Sequence, residues 1–407
     1  MKTLILFFVL YSIQFSHDLQ AQDYSRFTGT IEKLQGLSRI TDQQERFLQT
    51  EKFWQTLIEE KSIPLVQEDS VAFFYRGNAN SVSWLGDFNG WGYDKKFNNK
   101  GVRIPQTDIW LLKTSFPKDG RFDYKILVNG SDWVIDFFNP NQQWSGVGGG
   151  SPNSELRMPF WKPESVAVQK EGVPKGALTW DILFVSKTLG YQMTYNVYLP
   201  FGYSPSKEYP VIYVTDGYEY LHERLGNMAT VLDNLIHENK IQPIVAVFLD
   251  HREPVNRANN RRMQELAMNP KYLDFFENEF IAHIESKYSV SKDPKQRAVL
   301  GTAMGGLTSA YFAFSKPGVF GMAGIQSPAF KFKPEIYTVC DNPEAPPVKV
   351  YLTTGVFYDA EIESRKMKQI LEKNFCTFQY SESNQGHSWG NFRDTIDDIL
   401  VYFFPPK

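Results

Sequence analysis

Three short stretches in the second half of the chain carry side chains whose types and order suit acyl transfer. Residues 298–312 read AVLGTAMGGLTSAYF: an apolar, strand-like run from Ala298 to Leu300 enters a glycine turn, and a helix-like stretch follows from Leu307. This is the layout of a nucleophile elbow, G-x-S-x-G, in which small residues flank a reactive side chain on a sharp strand-to-helix turn. The pattern here is Gly301, Thr302, Ala303, Met304, Gly305, so a methyl group stands where the elbow needs a hydroxyl. Thr302 would point elsewhere on a turn this tight. Asp359 follows the strand-like VKVYLTTG, and His387 lies in NQGHSWGNFR. An acyl-transfer site needs a nucleophile, a histidine base, a carboxylate that orients the base, and donors for the oxyanion. Any single Asp or His is a weak signal, because surface loops are rich in both. The order of elbow, acid and histidine is a stronger one.

Those residues need a scaffold, and the patterning supplies one. TYNVYLP, YPVIYVTDG, PIVAVFLDH, RAVLG, GMAGIQS and VKVYLTTG read as apolar strands. Between them MATVLDNLIHENK, YLDFFENEFIAHIESKY, GLTSAYFAFSK and EIESRKMKQILEK have helical periodicity. Alternation of this kind predicts a mainly parallel sheet covered on both faces, with strand ends exposing the chemistry at the carboxyl edge. Upstream, from Leu65, the period falls to two: VAFFYRG, SVSWLGDF, IWLLKTSF, FDYKILVNG and WVIDFF are separated by Gly, Asn, Asp and Pro turns, which predicts a β-sandwich. Residues 23–64 carry two short amphipathic helical patterns ending before Pro64, too short to stand alone.

At the N-terminus, Lys2 followed by an apolar stretch from Leu4 to Ile13 and then small and polar residues has the layout of a secretory signal peptide, cleaved near Ala21 or Gln22. The stretch is too short for a stable membrane span, which takes ~20 residues. The expected domains are therefore a signal peptide at 1–22, a helical segment at 23–64, a sandwich at 65–162 and an α/β domain at 175–407, in an exported protein. With 407 residues the chain is long enough for several domains, and a net charge of −3 with no basic run gives no sign of nucleic acid. Cys340 and Cys376 form no metal motif, and a disulfide or two free thiols are both open. The six histidines include no H-E-x-x-H, so no metal is expected.

The stretches YNVYLPFGY, YPVIYVTDGYEY, VLGTAMGGLTSAYFAF, YLTTGVFYDAEIESRKM and NQGHSWGNFRDTIDDILVYF together resemble the esterase D / enterochelin esterase family of α/β-hydrolases, over residues 175–407 in order. That family also includes feruloyl and acetyl-xylan esterases. The resemblance implies a serine carboxylic-ester hydrolase without a metal or organic cofactor, acting on a small-molecule or carbohydrate-linked ester. It implies His387 as base and Asp359 as its orienting acid, with Glu361 a weaker alternative. It places the oxyanion donors on the backbone N–H groups of Met304 and of Tyr218, after Asp216-Gly217. The departure is Ala303 where the family has serine. That leaves a natural pseudoenzyme and an engineered replacement both open. It also leaves a rival reading, a non-catalytic binder of a carbohydrate or ester ligand.

SVSWLGDFNGW, RFDYKILVNGSDW and DFFNPNQ resemble the early-set, glycogen-binding type of carbohydrate module, an immunoglobulin-like sandwich. The resemblance implies a sugar platform at Trp91, Lys125 and Trp133, since a flat indole stacks on a pyranose and an ammonium donates to its hydroxyls. The bland alternative is a structural cap, because aromatics in a sandwich usually pack. Arg262 and Glu265 in RRMQELAM suit either substrate contact or structural ion pairing, and Asp250 and His251 follow a strand near the same edge.

Overall fold

The computed structural model describes residues 26–146, 152–342 and 347–406. The signal-peptide reading therefore falls outside the described residues. The chain divides into two compact units, one of residues up to Gln142 with Asn153–Lys162, the other of Gln143–Pro152 with Pro163–Lys407.

In the first unit two antiparallel sheets face one another. One has the order β1-β2-β5-β4, from Leu65–Gln67, Ser70–Arg76, Ile109–Ser115 and Val102–Arg103. The other has the order β3-β6-β9-β8, from Val82–Gly86, Arg121–Val128, Asn153–Arg157 and Gln142–Gln143, with β7 (Asp132–Val134) also on β6. The run VAFF in β2 is apolar at successive positions because both faces are covered. Phe73 packs between the sheets on Trp84, Phe88 and Tyr124. Ala72 and Phe74 face the other way, onto helices at 26–37 and Gln43–Glu59 through Ile31, Leu34, Trp54 and Leu57. The amphipathic helices thus gain the tertiary partner that helices of their length require.

The second unit is built on one eight-stranded sheet of order β10-β11-β13-β12-β14-β15-β16-β17. Its strands are Ala177–Val185, Gln192–Leu199, Val211–Val214, Val245–Asp250, Arg297–Thr302, Met322–Gln326, Lys349–Gly355 and Thr377–Ser383, numbered β10 to β17 along the chain. β10, β11 and β13 are antiparallel neighbours, and all pairings from β13 through β12 to β17 are parallel. Period-two alternation divides each strand between two cores. Val299 faces the core under Met304–Ser315 and Glu361–Lys373, whereas Ala298 and Leu300 face the one under Met228–His237 and Ile396–Phe403. The pattern did not reveal the two edge strands. β10 is broken by a bulge between Thr179 and Ile182, and β17, TFQYSES, has few apolar positions. Because β14, β15, β16 and β17 run parallel, their carboxyl ends lie at one edge, and that edge carries the candidate residues.

Candidate functional site

Ala303 occupies the turn between β14 and the helix Met304–Ser315, at φ 53° and ψ −111°. This is a sparsely populated conformation for an L-residue, costing ~1–3 kcal/mol, and it persists only where its surroundings over-determine it. Three backbone bonds do so. Ala303 N–H donates to Gln326 O (3.0 Å), and Ala303 O accepts from Ala329 N–H (2.9 Å) and Leu307 N–H (3.1 Å). The flanking glycines are needed for close approach: a Cβ on Gly301 or Gly305 would fall 2.2 Å from Thr215 Oγ1. Thr302 lies on the strand with its hydroxyl buried and, among the described residues, without a hydrogen-bond partner, so it offers no exposed nucleophile.

Two strands along the same edge, Asp359 and His387 meet. His387 Nδ1 is 2.6 Å from Asp359 Oδ1. The acid's side chain is fully buried and the imidazole half-exposed, 46%. The remaining oxygen, Asp359 Oδ2, accepts from Ser327 Oγ (2.6 Å), Gly355 N–H (2.6 Å), Thr354 Oγ1 (3.3 Å) and Asn391 Nδ2 (3.3 Å). Such donors fix its direction, which a buried carboxylate needs in order to orient an imidazole. Glu361, the weaker alternative, starts the helix Glu361–Lys373, has a buried oxygen without a partner among the described residues, and is pushed up in pKa by burial and by the charge of Asp359.

Gln326 and Ser327, at the end of β15, connect these parts. Besides the bond from Ala303, Gln326 accepts from the Tyr220 hydroxyl and donates to Phe392 O (2.7 Å) and Thr395 Oγ1 (2.6 Å), in the segment after His387. Ser327, at φ 42°, donates its N–H to Thr353 O (2.7 Å) and its hydroxyl to Asp359. Trp389 of the GHSW stretch donates its indole N–H to Glu219 (3.0 Å) and packs edge-on against Tyr220. Nothing in the local sequence around Gln326, Ser327, Glu219 or Asn391 marks them, since each acts on a residue distant in the chain.

Tyr218 lies in the short helix Gly217–Leu221, entered through Asp216 at φ 53°. Its backbone N–H and that of Met304 both lie in the first turn of a helix, where N–H groups lack intrahelical acceptors. Arg262 grips Asp216 with two bonds (2.6 and 2.9 Å) and reaches Thr302 O (3.3 Å), so it braces the turns carrying Tyr218 and Ala303. Glu265 does not pair with Arg262. It accepts from Tyr191 OH (2.8 Å) and holds His251 Nδ1, while His251 Nε2 accepts the Asp216 N–H (3.2 Å). Burial opposes a charged His251, but the bond and charge of Glu265, with Asp216 nearby, outweigh it and raise the pKa. Asp250 is held by Arg252 and Arg257, and the Arg252 guanidinium lies 3.6 Å over the Tyr218 ring. A cavity of about 40 Å³ opens among Tyr218, Asp216, Arg252 and Arg262.

In the first unit Trp91 and Trp133 are 37% and 49% exposed, with ring centroids 6.4 Å apart and planes 39° apart. Trp133 pairs with Leu127 across β6 and β7, and Lys125 lies two residues from Leu127, on the same face. The Trp91 indole N–H is anchored on Asp87 (3.1 Å). Cys340 is buried, Cys376 is half-buried, and both are free thiols.

Residues 186–349 match the family model described as "Putative esterase". An uncharacterized protein YjcH of Bacillus subtilis is 25% identical over 237 residues, 56% of this chain and 98% of that protein. An endo-1,4-beta-xylanase/feruloyl esterase of Xylanibacter ruminicola is 24% identical over 56% of this chain, which spans 31% of that protein. Among solved structures, the ferric enterobactin esterase of Salmonella typhimurium aligns with a TM-score of 0.69 at 17% identity, over 86% of this chain and 98% of that one. The enterobactin esterase of Shigella flexneri aligns at 0.67 and 18%, over 82% and 92%. The edge-clustered Asp–His pair, the strained strand-to-helix turn and the parallel sheet agree with that match, and the second unit resembles this esterase family in sequence and has the α/β fold of the solved enterobactin esterases.

Proposed function

We propose that the chain is an exported carboxylic-ester hydrolase of the serine type in which Ala303 occupies the nucleophile position, so that it binds esters but turns them over poorly or not at all. The carrying observation is the caged Asp359–His387 pair, linked through Gln326 and Ser327 to an elbow that has a strained geometry without a hydroxyl. In the restored site, Ser Oγ would pass its proton to His387 Nε2 as it attacks the ester carbonyl. Asp359 would hold Nδ1–H and stabilise the imidazolium, and the Met304 and Tyr218 N–H groups would receive the oxyanion. Small-molecule esters fit the class, aryl esters being the simplest probe. The leader pattern around Lys2 and Leu4–Ile13 supports export. No helix among the described residues is long and apolar enough to cross a membrane.

The test is Ala303→Ser. Replacing a triad nucleophile can cost about a millionfold in rate, and the added oxygen should cost the fold less than ~1 kcal/mol. The serine variant should hydrolyse a short aryl ester, and adding His387→Ala should abolish that activity. A folded serine variant inactive on short-acyl, feruloyl and lactone esters would instead favour the binding reading.

A second reading concerns the sandwich: the exposed, adjacent Trp91 and Trp133 with Lys125 on one face support a glycan platform in the first unit.

A further inference from the structure

A groove of about 380 Å³ in the first unit lies between the helix Gln43–Glu59 and the β2, β4 and β5 ends of the sandwich. Three arginines line it, Arg46, Arg76 and Arg103, against one carboxylate, Asp108. Arg76 is already neutralised, by two bonds to Asp108 (3.0 Å each) and one to Glu51. The other two are not. Arg46 spends Nη1 on Ile40 O (2.6 Å) and Arg103 spends Nε on Thr107 O (2.8 Å), and neither pairs with a carboxylate among the described residues. Both guanidiniums are thus oriented by a backbone carbonyl while retaining N–H donors and their full charge. Phe47, 55% exposed, adds an aromatic ring to the same groove.

Preoriented guanidiniums without a counter-charge match the fork of a carboxylate, and an exposed ring beside them matches a flat apolar body. We propose that this groove binds a small organic anion, a carboxylate carried on a planar ring, independently of the ester-hydrolase site. The helix and the sheet cooperate in it, because Arg46 comes from the second helical turn, Arg76 from the end of β2 and Arg103 from the end of β4.

The test titrates the full chain with trifluoromethyl-benzoate by fluorine NMR, with trifluoromethyl-benzyl alcohol as the neutral counterpart and inorganic phosphate as a ringless competitor. Benzoate should bind in the millimolar range, more weakly as salt is added, and the alcohol should bind at least tenfold more weakly. Arg46→Gln and Arg103→Gln should each weaken benzoate about tenfold, the loss of one charge-assisted contact. Phe47→Ala, at an exposed position, should weaken benzoate without changing the thermal midpoint. Equal binding of acid and alcohol, or benzoate affinity unchanged in a folded Arg46→Gln/Arg103→Gln protein, would overturn the site. Phosphate competing as strongly as benzoate would overturn the part assigned to the ring.

Discussion

The sandwich core carries a charge imbalance that should make its stability depend on pH. Asp87 is 3% exposed, accepting the Asp123 N–H at Oδ2 (2.8 Å) and the Trp91 indole N–H at Oδ1 (3.1 Å). Asp123 and Glu155, each 1% exposed, share the buried Arg121, and Glu155 also takes Arg157. Two guanidiniums cannot neutralise three carboxylates, and Asp87 is the one without a guanidinium bond. Burial, and then the charge of Asp123, push Asp87 from an ordinary 3.8 up to about 7. Between those values the unfolded chain has lost the proton and the folded sandwich keeps it. Its contribution is therefore complete below pH ~4 and is lost as pH rises through about 7. The whole gap corresponds to at most ~4 kcal/mol, and the part between pH 5 and pH 8 to about 2–3 kcal/mol. Hydrogen exchange of peptides from β6, corrected for intrinsic rates, should show local stability falling by that amount from pH 5 to pH 8. Asp87→Asn, a neutral isostere that forfeits one acceptor at ~1 kcal/mol, should flatten the slope. Burial also raises Asp123 on β6 and lifts Asp136, bonded to Tyr124, to about 6, so a smaller slope should remain; stability that is level or rises with pH, or a slope undiminished in Asp87→Asn, would refute the charge imbalance.

The other tests are shorter. In an Ala303→Ser background, Ser327→Ala should lower kcat by about tenfold to a hundredfold with little change in KM, the loss of one hydrogen bond to a charged group, and Ser327→Thr should recover part of it. Trp133→Ala and Trp91→Ala should each weaken retention of the chain on an insoluble α-glucan by at least about fivefold, near 1 kcal/mol of stacking. Unchanged retention would leave the module as a structural cap.

The sheet, the elbow and the Asp359–His387 pair were legible because each is written locally: strand runs, a glycine-flanked turn, and loop residues directly after strands. What joins them was not. Asp359 is caged by Ser327 and Asn391, each 32 positions away, and Gln326 bonds to Tyr220 across 106. Helical spacing of Arg262 and Glu265 suggested a shared role, yet their partners, Asp216 and His251, come from two other strand ends. Arg46 and Arg103 carried no signal at all, because a groove between a helix and a sheet edge has no period in sequence. The edge strands β10 and β17 escaped for a related reason: edge positions tolerate bulges and polar residues that blur alternation.

The same contacts explain why restoring one oxygen at position 303 should suffice. The elbow is not held by its side chain. Its strained backbone rests on Gln326, Ala329 and Leu307 through main-chain bonds, and on the two glycines that admit Thr215. Gln326 is in turn fixed by Tyr220 and by Phe392 and Thr395, so the segments bearing Tyr218 and His387 are tied to it by bonds that do not involve the side chain at 303. Asp359 is held by four donors that do not touch residue 303. On the proposed reading, a methyl in place of a hydroxymethyl would remove the reacting atom while leaving His387, Asp359 and the Met304 and Tyr218 N–H groups in place. Catalytic contributions that act as a unit vanish together when one member is lost and return together when it is restored. Ala303→Ser is therefore the variant that would show whether such cooperativity operates in this chain.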